Sequence, residues 1–303
     1  MKVLICDTTS PAAIETMRTA GIQVDVQDDI TPEQLLEVLP AYDGMVVRSR
    51  TTVRQPLIDA ATSLKAIVRG GVGLDNIDVE YAESRGITVM NTPAASSASV
   101  AELTVGYLLA LARRIPDATA TMRDGKWEKK ALSKGSEIGG KTLGLVGCGR
   151  IGQEVAKRAS ALGMEVIFYR RSLLELPSAR QVPLDELVRT SDYISLHVPH
   201  TSETHHIIGA PQLDNMKDGV YIVNCGRGGT LDEDALRDDI VSGKVAGAAL
   251  DVFADEKEDR GKKLFTLPQV IGSPHVGAGT REASQRVGAE VAERMIAFYR
   301  ERY

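Results

Sequence analysis

"KTLGLVGCGRIGQEVAKRASALGMEVIFYRRS", residues 141–172, decides the fold. An apolar run through Val146 meets the turn Gly147-Cys148-Gly149-Arg150-Ile151-Gly152, and a helical pattern follows at once. The G-x-G-x-x-G spacing recurs by chance; a strand before it and a helix after it give it weight. Gly147 permits the tight turn, Gly149 lets a pyrophosphate approach the backbone, and Gly152 lets helix and strand pack closely. The helix start at Arg150 and Ile151 offers free N–H groups and partial positive charge to phosphates. A second strand pattern, "MEVIFY", ends at Tyr169. A ribose-binding acid is expected about 20 residues beyond such a turn, but this chain has Arg170, Arg171 and Ser172. These are charge-assisted donors suited to a 2′-phosphate, which a carboxylate would repel. The stretch predicts NADP(H) as the preferred cofactor. The alternative is NAD(H), held by its pyrophosphate and nicotinamide while both arginines face solvent.

The rest of the chain extends the same pattern. Before residue 95, short β-rich runs ("KVLIC", "IQVDV", "GMVVRS", "LKAIVRG", "GITVMN") alternate with helical stretches. Such alternation predicts parallel sheets with helices on both faces. A long helix is expected from Ser96 to about Arg114, ending before Pro116, then a polar connection containing Trp127. The chain of 303 residues is long enough for two cores, and 43% hydrophobic with 25% charged residues is ordinary for a globular protein. Net charge is −5, from 36 basic and 41 acidic residues, so no field favours nucleic acid or an anionic membrane. Cys6, Cys148 and Cys225 are odd in number and fit a reducing, cytoplasmic setting. "LTVGYLLALA" is too short to span a membrane. "PHTSETHH" lacks the His-x₃-His spacing of a helical metal site, so no metal is expected.

Chemistry-bearing residues gather where strands end. "VNCGRGGTLDEDAL" sets Arg227 among Gly226, Gly228 and Gly229, presenting a planar fork to a carboxylate. A pairing with Asp232 or Glu233 on the following helix is the alternative. "VAGAALDV" carries Asp251, with Glu256 beyond it, and "IGSPHVGAG" carries His275 between proline and glycine. Histidine exchanges a proton near neutral pH, and a bonded carboxylate orients it and raises its pKa. Spacing alone does not bring Glu256 to His275. "VVRSRT" places Arg48, Ser49 and Arg50 after one strand, as an anion site or a solvated loop. "VRGGVGLDN" sets Gly71, Val72 and Gly73 after the next, where exposed amides suit a carboxylate.

In family order, "VVRSRT", "GGVGLDNID", "VMNTPAASSASVAELTVGYLLALAR", "RDGKWEKK", the glycine turn, "DYISLHVPHT", "VNCGRGGTLDEDAL", "GAALDVF" and "SPHVGAG" span nearly the whole chain. On these motifs the sequence resembles the D-isomer-specific 2-hydroxyacid dehydrogenases, most of all their 3-phosphoglycerate-oxidising branch. The resemblance implies two doubly wound, Rossmann-like parallel α/β domains with a cleft between them. Residues 1–95 plus 283–303 would bind substrate, and 96–282 would bind the dinucleotide.

The resemblance also implies roles. Arg227 would bind substrate, Glu256 would pair with His275, and His275 would donate or accept the proton during hydride transfer at C2. Asp251 would meet the nicotinamide carboxamide; His197, Val198, Pro199, Cys225, Gly226 and Gly277 would line the cofactor. The amides of Gly71, Val72 and Gly73 would hold the substrate carboxylate, and Arg48, Ser49 and Arg50 a substrate phosphate. A homodimer is implied, with "AELTVGYLLALARR" at its interface. Three departures stand out: Lys257 replaces the proline common after the glutamate, no regulatory extension is expected, and Arg170 falls on the ribose-binding aspartate. Rival readings are a glyoxylate or hydroxypyruvate reductase and, from another class, a corepressor-like dinucleotide sensor.

Overall fold

Short β-branched runs pair in parallel throughout the computed structural model, which describes residues 1–256 and 263–302. The chain divides into two compact units, Met1–Ser97 with Ala278–Tyr303, and Ala98–Gly277.

In the first unit β1 (Lys2–Ile5), β2 (Gln23–Val26), β3 (Gly44–Val47), β4 (Ala66–Arg69) and β5 (Thr88–Asn91) form one sheet, ordered β2-β1-β3-β4-β5. That is the flavodoxin-like order, with its reversal between β1 and β3. All four pairings are parallel. The terminal helix Arg281–Arg302 covers one face, setting Val287, Val291, Met295 and Phe298 against Val3, Ile5, Val46 and Val68. Leu4, Met45 and Ile67 point to the other face, as strand alternation requires.

The second unit holds β6 (Thr142–Val146), β7 (Glu165–Tyr169), β8 (Arg180–Gln181), β9 (Tyr193–Leu196), β10 (Val220–Asn224), β11 (Val245–Leu250) and β12 (Val270–Gly272). Their order, β12-β11-β10-β9-β6-β7-β8, is the Rossmann arrangement with one further strand, and every pairing is parallel. The doubly wound parallel α/β fold read from the sequence is therefore present in both units. The glycine turn after β6 lies at the reversal point, where open sheets of this type bind ligands.

One expectation is corrected. The helix Ser97–Arg113 does stop before Pro116, but the stretch beyond is not a plain polar connection: it contains helices Ile115–Arg123 and Lys129–Leu132. Arg114, left-handed at φ 51°, breaks the run, and Pro116 sits in the first turn of the next helix, where its missing N–H costs nothing. Neither short helix buries a residue.

Candidate active site

The glycine turn is built by close approach. Gly147 has φ +99°, and a Cβ there would lie 2.8 Å from the His197 carbonyl. A Cβ on Gly152 would lie 2.6 Å from the Gly147 oxygen, so helix and strand touch there. Nothing lies within 4 Å of a Cβ built on Gly149, so that glycine is not required by packing. Helix Arg150–Ala161 begins immediately afterwards. A cradle of free helix N–H groups beside an unobstructed glycine fits a pyrophosphate.

Arg170 folds back over this turn. Its Nη1 donates to the Cys148 carbonyl at 3.2 Å and its Nη2 to Ser172 Oγ at 2.8 Å. Gln181 of β8 fixes the segment, donating to the carbonyls of Arg170 (3.0 Å) and Ser172 (3.1 Å) and accepting from Leu174 N–H (2.9 Å). Arg171 is exposed. Across the rim, a hydrogen bond from Thr201 holds the Glu203 carboxyl below its ordinary range, with a smaller contribution from the Arg171 charge.

After β10, Asn224 is buried and ties its own loop. It donates to the Arg227 carbonyl at 3.0 Å and accepts from Gly226 N–H at 3.0 Å, while Thr230 donates to the same Arg227 carbonyl at 2.7 Å. A Cβ on Gly228 would fall 1.8 Å from the Phe253 oxygen, which explains a glycine beside Arg227. Arg227 Nη1 donates to the Gly226 carbonyl at 2.8 Å. Asp232 caps the next helix through Ala235 N–H, and Glu233 accepts from Ala254 N–H.

The fold brings Glu256 and His275 together, with Oε1 2.7 Å from Nδ1. Both side chains remain nearly half exposed, at 47% and 44%. Asp251, expected at a nicotinamide, is 1% exposed and its carboxylate grips the histidine loop. It accepts from the N–H groups of Val276 and Gly277 at 2.8 Å each and from Ser273 Oγ at 2.5 Å. His197 Nε2 lies 2.9 Å from Ser195 Oγ, and burial pushes its pKa down to about 4. Val198 flanks the Gly147 turn, Pro199 follows it, and Cys225 is buried with its thiol pushed up to about 12. Lys257 lies outside the described residues.

In the first unit Arg50 is paired. Its Nε donates to Asp7 Oδ1 at 2.9 Å and its Nη2 to the Cys6 carbonyl. Asp7, 4% exposed, also accepts from Arg48 N–H. Asn76 donates to the carbonyls of Arg48 and Thr51, and Asn91 to that of Val72, shaping the segments around Ser49 and Gly73. The roles of Asp7, Asn76, Asn91, Asn224 and Ser273 are not legible in the sequence, because single polar residues in loops and at strand ends carry no periodic signal. Among the described residues no group of three or more metal-ligating side chains occurs, and no helix is long and apolar enough to cross a membrane.

Comparison with known proteins fits this geometry. The family model for the D-isomer specific 2-hydroxyacid dehydrogenase, NAD binding domain, matches residues 105–277. A hydroxypyruvate reductase of Thermotoga maritima is 52% identical over 273 residues, 89% of each chain. A D-3-phosphoglycerate dehydrogenase of Methanocaldococcus jannaschii is 48% identical over 97% of this chain, which spans only 57% of that relative's length. Among solved structures, an acyclic imino acid reductase in complex with NADPH and D-Arg superimposes with TM-score 0.91 at 29% identity, covering 99% of this chain and 98% of that one. An Aquifex aeolicus D-lactate dehydrogenase complexed with NAD and lactic acid gives 0.86 at 29% identity, covering 99% and 96%. The chain belongs to the D-isomer-specific 2-hydroxyacid dehydrogenase family. It is an oxidoreductase of the nicotinamide-dependent class.

Proposed function

We propose that this protein interconverts a short 2-keto acid and its D-2-hydroxy acid, with hydroxypyruvate the favoured substrate and NADP(H) the preferred cofactor. The Glu256–His275 pair carries the reading. In reduction the protonated His275 donates its proton to the carbonyl oxygen and is left neutral, and Glu256 stabilises the imidazolium before that transfer. Arg227 pairs with the substrate carboxylate and holds C2 in place; positioning of this kind is worth roughly 7–11 kcal/mol of a barrier. The bound nicotinamide supplies or accepts the hydride. Residues 98–277 hold the cofactor in this reading, with Gly147, Gly149 and Gly152 at the pyrophosphate and Arg170, Arg171 and Ser172 at the 2′-phosphate. The remainder binds substrate.

Hydroxypyruvate is placed ahead of its phosphorylated form because Arg50, one of the two arginines considered for a phosphate, faces the Asp7 carboxylate at 2.9 Å. The 3-phosphohydroxypyruvate reading keeps Arg48, whose Nη1 donates to the Thr8 carbonyl at 3.5 Å. Initial rates for hydroxypyruvate, 3-phosphohydroxypyruvate and glyoxylate, each with NADH and NADPH, test the choice. Turnover with none of them would favour a dinucleotide sensor instead.

The working form is a cytoplasmic homodimer in this reading. The two short helices Ile115–Arg123 and Lys129–Leu132 bury nothing of their own, and Ile115 (51%), Met122 (54%) and Trp127 (77%) stand exposed, a surface that a second copy would cover. Light scattering of the wild type and of Trp127→Ala checks it, with a dimer for the first and a weakened dimer for the second. The three cysteines are free and buried, as suits a reducing compartment.

A further inference from the structure

His275 has φ +53°, the left-handed region that a residue bearing a side chain holds only when its surroundings impose it. The imposing contacts come from both sides. Its own N–H donates to the Asp251 carbonyl at 2.9 Å, and the next two N–H groups donate to the Asp251 carboxylate. That carboxylate is in turn held by Ser273 Oγ at 2.5 Å, and Ser273 Oγ lies 2.5 Å from the hydroxyl of Tyr107. A carboxylate only accepts, so Ser273 gives it its single proton and is left to accept from Tyr107. Donation therefore converges on the Asp251 carboxylate, from Tyr107 through Ser273 on one side and from the Val276 and Gly277 N–H groups just after the histidine on the other. Tyr107 is 9% exposed on the helix Ser97–Arg113, so the chain starts from a rigid element.

We propose that Tyr107 and Ser273 are positioning residues for His275, acting through the Asp251 carboxylate as one hydrogen-bonded chain. The proposal rests on the reading of His275 as the proton donor. Members of such a chain polarise one another, so loss of either hydroxyl weakens the grip on the whole loop. Tyr107 is read in the sequence as one more apolar face of a helix; only the fold shows where its hydroxyl goes.

The test compares Tyr107→Phe, Ser273→Ala, the double variant and His275→Ala, using whichever 2-keto acid and cofactor the wild type turns over fastest. Each single variant is expected to lower kcat by about 3–10-fold, with KM for keto acid and cofactor within about twofold, since only the placement of the proton donor changes. The double variant is expected to fall no further than the worse single one, because the two hydroxyls act in series. Ser273→Thr, which keeps the hydroxyl, restores kcat. Melting temperature is expected to fall by only about 2–4 °C in Tyr107→Phe. Wild-type kcat in Tyr107→Phe and Ser273→Ala, or multiplying losses in the double variant, overturns the chain while an inactive His275→Ala leaves the site reading standing. Wild-type turnover in His275→Ala overturns both.

Discussion

Asp7 and Asp251 use the same device in the two units, to different ends. Each follows a strand, β1 or β11, each is buried (4% and 1% exposed), and each grips the loop after the neighbouring strand through backbone N–H groups. The third donor differs. Asp7 takes the charged Arg50 guanidinium, whereas Asp251 takes the neutral Ser273 hydroxyl. The first loop thus neutralises the cation it carries. The second leaves its His275 nearly half exposed and bonded to a separate carboxylate, Glu256. A buried acid used on backbone fixes a loop; the same acid used on a side-chain cation also orients that cation and offsets its charge.

The comparison breaks most readily at His275. His275→Ala is expected to lower kcat by about 10²–10⁴-fold with cofactor affinity nearly intact, checked by steady-state rates and cofactor titration. Near-wild-type turnover would make its loop as structural as that of Asp7.

A second contrast lies within one unit, between exposed His275 and enclosed His197. Burial holds His197 neutral down to about 4, while the unfolded chain takes up a proton near its ordinary value. As pH falls, the unfolded state therefore binds the proton first. Stability is full above roughly pH 6.5 and is lost progressively down to about pH 4, by about 3 kcal/mol at most. Urea midpoints across that window measure the loss, and His197→Gln should flatten it. An unchanged slope would mean that the ring is hydrated and titrates normally.

The periodic parts of this molecule were legible in the sequence. Both parallel sheets follow from alternation of apolar strands with helices, and the glycine turn from its place between them. His275 stood out because proline and glycine isolate it in a loop. Its partnership with Glu256 is implied by the resemblance and not by spacing, since the two lie 19 positions apart with β12 between them. Asp251 illustrates the other gap. The resemblance implies a nicotinamide contact for Asp251, and only the fold adds that both its oxygens accept from backbone amides. The pairing of Arg50 with Asp7 is hidden for the same reason: Asp7, 43 residues earlier, reaches it only through sheet pairing of β1 with β3.

Arg170 sharpens the comparison from the other direction. Its guanidinium meets neutral oxygens, the Cys148 carbonyl and Ser172 Oγ, where Arg50 meets a carboxylate. A cation oriented by neutral groups keeps its charge for a ligand. Replacing Arg170 and Arg171 together by alanine is expected to lower kcat/KM for NADPH by about 10–100-fold, the value of one or two charge-assisted hydrogen bonds, and to change that for NADH by less than about threefold. Equal losses with both cofactors would show that the pair shapes the loop rather than choosing the nucleotide. A wild-type kcat/KM for NADH above that for NADPH would reject the preference before any substitution.

The smallest effect tests the Asp7 side alone. Asp7→Asn keeps the shape and one acceptor, removes the charge, and leaves Arg50 with an uncompensated guanidinium that is already half exposed. The loss of charged hydrogen bonds is expected to cost about 1–3 kcal/mol of stability in the first unit. Freed of its carboxylate, Arg50 becomes an anion donor, so kcat/KM for 3-phosphohydroxypyruvate relative to hydroxypyruvate should rise by about 3–10-fold, a single exposed charge pair being worth about 1 kcal/mol. The ratio isolates substrate charge from any general loss of activity, because both substrates share the carboxylate and the reacting carbonyl. A falling ratio would mean that Asp7 positions Arg50 for the phosphate instead of neutralising it, which would return the phosphorylated substrate to first place. An unchanged ratio would leave Arg50 out of substrate reach, with Asp7 and Arg50 a closed structural pair.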